Sequence, residues 1–448
     1  MKPKMVAETV CVCEAAGYQL PDVRVPPPGP IASHWAARCS QVSAPMGPGL
    51  GKSLPSLVYA HAIGANVFDT DGNRYVDLAA GFGAQLLGHC HAELTQTIAA
   101  QAARLTQALG DVYPTPERIE LQQRLATLMG DKPHRVILGQ SGADAITAAL
   151  KTAVLATGRS GVVAFSGAYH GLSYAPLALC QLRESYRQPF SAQLNPDVHV
   201  LVYPTNAEEA EQSLSKLDAL LANQPIGAVV IEPILGRGGC VVPPEGFLAQ
   251  LVELCREHDT VSIVDEIWTG LGRAGAMLVS SSLEVMPDVI CLGKGLGGGL
   301  PLSACIGKAG LMQAWARPAE VVHTTTFAGT PLAAAAGLRL LDILERDGMV
   351  QDCARRGERW ITSLRGHLGS LPLLKAIRGK GFMVGLDLKS RPGIAAEASQ
   401  RLLSKGWIVS TGGGTREVIV LTPPLTITDE LLDAATQVFK ETLQELPA

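Results

Sequence analysis

Residues 288–301 read "DVICLGKGLGGGLP": a short apolar run, then Lys294 among five glycines, closed by Pro301. An apolar run of this length bounded by Asp288 and Gly293 reads as a buried strand. The glycines that follow can hardly hold a helix or a strand, so Lys294 stands at a strand end with no bulky neighbour. Three readings compete for it. The stretch is a phosphate-cradling loop, a flexible linker, or a site where the lysine nitrogen reaches a ligand without crowding.

Working outward, similar apolar runs recur: "RVILG" (135–139), "GVVAF" (161–165), "HVLVY" (199–203), "GAVVIEP" (227–233) and "VSIVDE" (261–266). Helix-like stretches separate most of them, and "AELTQTIAAQAARLTQAL" (92–109) and "ERIELQQRLATLM" (117–129) carry helical spacing before the first. Such alternation predicts an α/β domain with a mostly parallel sheet covered on both faces. "GANVFDTDGNRYVDLAAG" (64–81) reads as two strands joined at an Asp-Gly turn, and "PLAAAAGLRLLDILERDG" (331–348) starts a long helix. The division expected is an amino-terminal segment (1–91), a large α/β domain (92–330) and a smaller α+β domain (331–448).

Composition narrows the function classes. The 448 residues are 47% apolar and 17% charged, a globular balance, with a net charge of −4 that offers nucleic acid or anionic lipid no basic field. The ten cysteines are too sparse for a disulfide scaffold and read as free thiols of a reducing compartment. Glu8 and Glu14 interrupt the amino-terminal stretch, so it does not read as a signal peptide, and no run approaches the ~20 apolar residues of a membrane span. A cytoplasmic protein without membrane or nucleic-acid partners is expected.

Several motifs fail on inspection. "GPGLGKS" (47–53) lacks the first glycine of a Walker A loop, since Met46 stands there, and no strand precedes it. "GQSGA" (139–143) misses the last glycine of a nucleophile elbow, leaving a serine hydrolase on Ser141, with His258 or His323 as base, as a distant alternative. "CVC" (11–13) and "HCH" (89–91) lack partners at metal-ligand spacing, and no metal is expected.

Ligands of open parallel sheets bind at the carboxyl ends of the strands. Those ends carry Ser141-Gly142, Tyr169-His170, Glu232, Asp265-Glu266 and Lys294. The lysine amine suits a Schiff base with an aldehyde. Asp265 can keep a heteroaromatic nitrogen protonated, Tyr169 can stack on the ring, and the helix beginning at Ser141-Gly142-Ala143 suits a phosphate. Aldehyde, pyridinium and phosphate together describe pyridoxal 5′-phosphate (PLP).

Seven segments in order, "SGADA" (141–145), "GAYHG" (167–171), "IEPILGRGG" (231–239), "VDEIWTGLGRAG" (264–275), "PDVICLGKGLGGGLPLSA" (287–304), "HTTTFAGTPLAAAA" (323–336) and "LTPPLTIT" (421–428), resemble the class III (ω-type) aminotransferases. These are PLP enzymes of fold type I, and the resemblance runs from about residue 55 to the end. It implies that Lys294 bonds the cofactor and then shuttles the proton, and that Asp265 pairs with the pyridine nitrogen. It implies that Tyr169 and Ile267 pack the two ring faces, and that Ser141, Gly142 and Ala143 meet the phosphate. Thr326, beside Thr325, would reach the phosphate of a neighbouring subunit, making a homodimer with shared sites. His170, Glu232 and Trp268 would line the site.

The chain also departs from the family pattern. Val420 and Leu172 occupy positions where many members carry a carboxylate-gripping arginine. Trp268 replaces a smaller residue, often glutamine, while Asp144 and Arg237 replace glutamates. Arg416, after the flexible "TGGGT" (411–415), is a candidate mobile arginine. The expected activity is ping-pong transfer of an amino group from an amine, or an ω-amino compound, to a 2-oxo acid or aldehyde. An α- or ω-amino acid aminotransferase, or a decarboxylase, aminomutase or racemase on the same scaffold, are the alternatives.

Overall fold

The computed structural model describes residues 17–44, 57–389 and 393–446. The "GPGLGKS" stretch, Cys11, Cys13 and Glu8 and Glu14 of the amino-terminal stretch lie outside the described residues.

Seven strands form the main sheet, in the order His134–Gly139, Ser303–Lys308, Val289–Leu292, Val261–Asp265, Ile226–Ile231, Gly161–Phe165, Val198–Leu201. The last five of these pair in parallel. Two-residue periodicity assigns each face. Along the buried strands Val162, Ala164, Ala228, Val230 and Ile263 pack against Ala145, Ile146, Ala148 and Ala149 of the helix Gly142–Thr157. Their neighbours Val163, Phe165, Val229, Ile231 and Val264 pack on the other face against Leu217, Leu221, Phe247 and Leu251. The alanine-rich face of Gly142–Thr157 lets that helix lie close to the sheet.

The six strands found from apolar runs agree with these within two residues at either end. Ser303–Lys308 was not foreseen as a strand, and it is antiparallel to both its neighbours. It turns Val289–Leu292 and itself into a hairpin whose connection contains Lys294. Because Ser303–Lys308 runs backwards, His134–Gly139 points the same way as the parallel strands. The ends that carry Ser141, Glu232, Asp265 and Lys294 therefore meet along one edge.

The hairpin Asn66–Asp69 and Arg74–Asp77 forms as its Asp-Gly turn predicts, and Tyr59–Ile63 adds a third antiparallel strand. Trp407–Ile408, from the far end of the chain, pairs in parallel with Arg74–Asp77. A further antiparallel sheet orders Leu374–Lys380, Met383–Leu388, Val418–Leu421 and Ser410–Gly412. The helices Met349–Leu368 and Asp429–Glu445 pair through Trp360, whose Nε1 donates to the Leu432 carbonyl (3.2 Å) and to Thr436 Oγ1 (3.1 Å). Among the described residues no helix is long and apolar enough to cross a membrane, and no acidic, histidine or cysteine group is arranged to hold a metal.

Candidate active site

Gly142, Ala143, Tyr169, His170, Gly171, Glu232, Asp265, Ile267, Trp268 and Lys294 line one cavity of about 180 Å³ at the carboxyl edge of the sheet. Every one of them but Gly171 was a candidate from the sequence.

Lys294 follows the strand Val289–Leu292 in a left-handed conformation, φ +44°, unusual for a residue with a side chain. The short turn Lys294–Gly297 holds it there. The glycines around it mostly serve packing rather than ligand access. A Cβ on Gly298 would come 2.5 Å from Leu94 Cδ2, and one on Gly295 would come 3.2 Å from Leu86. Gly293 faces the cavity wall, where a Cβ would come 3.3 Å from Ile267 Cγ2. Burial pulls the Lys294 amine down to about 8, against the attraction of Asp265 and Glu232. Its Nζ lies 4.3 Å from the centroid of the Trp268 ring.

Asp265 ends its strand 4% exposed. Its Oδ1 accepts from the Ile267 N–H (3.1 Å) and its Oδ2 meets His170 Nδ1 (2.7 Å). Burial disfavours the His170 cation, but the hydrogen bond and charge of Asp265 outweigh it and raise the imidazole pKa. Nε2 of His170 is buried without a hydrogen-bond partner. Glu232 accepts from the N–H groups of Tyr169 (2.8 Å) and Gly236 (2.9 Å), so it braces two walls of the site. Burial raises its pKa, offset by the His170 charge. Glu266 points elsewhere, accepting from Thr269 Oγ1 (2.6 Å) and from the Ser280 N–H (2.8 Å) and Oγ (2.9 Å).

Ser141 caps the helix Gly142–Thr157, and Asp144 completes a capping box. Ser141 Oγ accepts from the Asp144 N–H (3.3 Å), while Asp144 Oδ2 accepts from the Gln140 and Ser141 N–H groups (both 3.0 Å). The aspartate that departed from the family glutamate thus has a structural task. Its box leaves the N–H groups of Gly142 and Ala143 as the helix's free first donors. No histidine is hydrogen-bonded to Ser141 among the described residues. His258 pairs with Asp218 (2.7 Å) and His323 lies against Trp315. Gly142 is required to be small, since a Cβ there would come 2.8 Å from Ile267 Cδ1.

Trp268 is 8% exposed and packs with Ile234, Val418 and Val420. A Cβ on Gly236 would fall 2.3 Å from its Cε3, and one on Gly83 would fall 2.5 Å from its Nε1. These two glycines were invisible as site elements in the sequence, because only the fold brings them to the indole. Arg237, which the sequence left without an account, sets its guanidinium carbon 4.7 Å from the Tyr169 ring centroid. Thr325 and Thr326 are not in this cavity. Thr325 lines a separate one with Arg118 and Trp315, its Oγ1 buried without a partner, and Thr326 is exposed, its carbonyl accepting from Gln107 Nε2 (2.9 Å).

The donor set suits PLP. An amine of depressed pKa, a carboxylate and the free N–H groups at a helix start line one cavity, as an aldehyde, a pyridine nitrogen and a phosphate require.

Comparison with known proteins agrees. The family described as "Aminotransferase class-III" matches residues 50–443. The 4-aminobutyrate aminotransferase of Mycobacterium tuberculosis (strain ATCC 25618 / H37Rv) is 34% identical over 94% of this chain and 97% of its own. The acetylornithine aminotransferase of Methanothermobacter thermautotrophicus is 32% identical over 87% of this chain and 94% of its own. A PLP-bound amine transaminase from an uncultivated Pseudomonas species superposes with a TM-score of 0.82 at 28% identity, covering 90% of this chain and 98% of that one.

Proposed function

The chain belongs to the class III aminotransferases, and from that premise we propose that it takes nitrogen from amines or ω-amino compounds whose tails carry no tightly gripped carboxylate. The acceptor is a 2-oxo acid or aldehyde, and the exchange is ping-pong. PLP is the cofactor, and when bound it supplies the electron sink that makes the substrate C–H acidic.

The observation that carries the donor preference is the packing of Val420. It is 1% exposed beside Trp268, so the usual carboxylate clamp is replaced by an apolar wall. Leu172, at the other clamp position, is 48% exposed and equally unable to bind an anion.

Lys294 holds and moves the proton at the substrate carbon, and its amine of about 8 keeps a useful unprotonated fraction near neutrality. Asp265 keeps the pyridine nitrogen protonated, with His170 holding the carboxylate in place (2.7 Å). Tyr169 and Ile267 pack the two faces of the ring. Gly142 and Ala143 donate to the phosphate, positioned by Ser141, and Glu232 fixes the Tyr169 backbone. In this reading the enzyme is a cytoplasmic homodimer in which Thr326, with Thr325 behind it, completes the partner's phosphate site. The exposed Leu109, Val112, Tyr113, Val321 and Phe327 support an interface near those threonines.

The test is a donor–acceptor panel with a visible band that borohydride abolishes and a label recovered on Lys294. Transfer from mono- and polyamines is expected to exceed transfer from glutamate or ornithine. Clear preference for glutamate or ornithine would overturn the donor class, and carbon dioxide release or a product retaining its nitrogen would point to the decarboxylase or aminomutase.

A further inference from the structure

A second cavity, of about 440 Å³, is lined by Arg183, Arg237 and Arg416 together with Tyr186 and Asp77. It adjoins the Lys294 cavity through a shared wall. Arg237 covers the Tyr169 ring, Tyr186 stands edge-on to the same ring at 6.3 Å, and Tyr169 itself lines the Lys294 cavity. The Arg237 charge is also among those that act on the Lys294 amine.

The three arginines are not equivalent. Arg183 is consumed by structure: its Nε donates to the Gly414 carbonyl and its Nη2 to the Gly413 carbonyl, both at 2.8 Å. Gly413 in turn donates its N–H to the Arg237 carbonyl (2.8 Å). The loop bearing Arg416 is thereby tied to the backbone of Arg237. Neither Arg237 nor Arg416 forms an ion pair among the described residues. The cavity's one carboxylate among them, Asp77, is committed to the Ala79 and Ala80 N–H groups (2.9 and 2.8 Å) and to His89 (3.0 Å). A guanidinium stacked on a tyrosine, half-buried and without a counter-charge, is arranged for planar bidentate recognition of an anion.

We propose that Arg237, assisted by Arg416, is the carboxylate anchor for the 2-oxo acid acceptor, and for the amino acid formed from it. This rests on the aminotransferase reading. It reconciles an apolar wall at Val420 and Leu172 with turnover of an anionic acceptor. A Cβ on Gly412 would lie 2.8 Å from Val420 Cγ2 and 2.9 Å from the Arg237 carbonyl, so this arginine stands beside the wall that lacks the usual clamp.

Two arms test it. Calorimetry measures pyruvate binding to borohydride-reduced holoenzyme, which cannot turn over. Kinetics compare pyruvate and 2-oxoglutarate with butyraldehyde as acceptors. In Arg237→Ala, pyruvate binding is expected to weaken about ten-fold or more, and the acid-to-aldehyde ratio of kcat/KM to fall by a similar factor. Arg237→Glu lowers both further by repulsion, and Arg416→Ala weakens pyruvate binding by a smaller factor. Arg237→Gln, which keeps much of the stack on Tyr169, guards against a folding defect and is expected to lose pyruvate binding at an unchanged melting temperature. Pyruvate binding within about two-fold of wild type in Arg237→Ala and Arg237→Gln would overturn the assignment, as would equal losses for acids and aldehyde. Failure of the wild-type enzyme to transfer nitrogen from any donor would instead sink the aminotransferase reading, since the calorimetric arm needs no turnover.

Discussion

Lys294 Nζ stands 4.3 Å from the centroid of the Trp268 ring, so the buried amine rests on an indole face rather than on a carboxylate. A cation over an indole is favoured by about 0.5–2 kcal/mol, which opposes the burial that holds the amine near 8. Trp268→Leu keeps an apolar wall and removes the π-face, so the amine pKa should fall by roughly half a unit to one unit. The measurement is the pH dependence of acylation at Lys294 in cofactor-free enzyme, read by mass spectrometry. An unshifted or raised inflection in the variant would mean that the ring contributes only its volume.

The indole depends on two glycines for its seat. A Cβ on Gly236 would lie 2.3 Å from Trp268 Cε3, a contact that backbone cannot easily relieve. Gly236→Ala is therefore expected to cost about 1–3 kcal/mol of stability. Much of that should return in the double variant Gly236→Ala/Trp268→Leu, because the smaller side chain vacates the clash. Chemical denaturation of the four proteins of this cycle gives the coupling energy, and additive losses would mean that Gly236 is needed for its backbone alone.

The parallel strands were legible because each is a short apolar run whose alternate residues serve both faces of the sheet. Ser303–Lys308 escaped because it follows a glycine-rich turn and pairs antiparallel, a choice made by tertiary contacts rather than by its own pattern. Lys294, Asp265 and Tyr169 stood out because their chemistry is costly at strand ends without a purpose. Gly83 and Gly236 did not, since what makes them necessary is the indole that the fold lays between them. Asp144 became intelligible only as half of a capping box with Ser141. Arg237 was visible as an oddity in "GRGG", but its stacking on Tyr169 is a contact between separate loops that no local spacing encodes.

The Lys294 amine also leaves a mark on stability. Its folded value near 8 lies below the ordinary 10.5, so between those values the unfolded chain binds more protons than the folded one. Stability of the cofactor-free enzyme should consequently rise with pH across that window. Lys294→Met has no such proton to lose, so it should be the more stable protein near neutrality, with its advantage shrinking towards about pH 10. Melting temperatures of both proteins across the range provide the check, and a constant difference would contradict the burial of the amine.

His170 carries the opposite sign. Asp265, 2.7 Å from its Nδ1, raises the imidazole above its ordinary 6.5 despite complete burial. A folded value above the unfolded one means that the ion pair stabilises fully below about pH 6.5 and that this contribution is lost as pH climbs through the folded value. The stability gap between wild type and His170→Gln should thus be widest in mild acid and narrow on the alkaline side. In the Asp265→Asn background only the charge of Glu232 is left to oppose burial, so the folded value falls and the acid-side widening of the gap should shrink or reverse. Denaturation profiles of the four proteins from about pH 5.5 to about pH 9 decide it. A gap in the Asp265→Asn background with the same slope as in wild type would mean that His170 answers to some group other than Asp265.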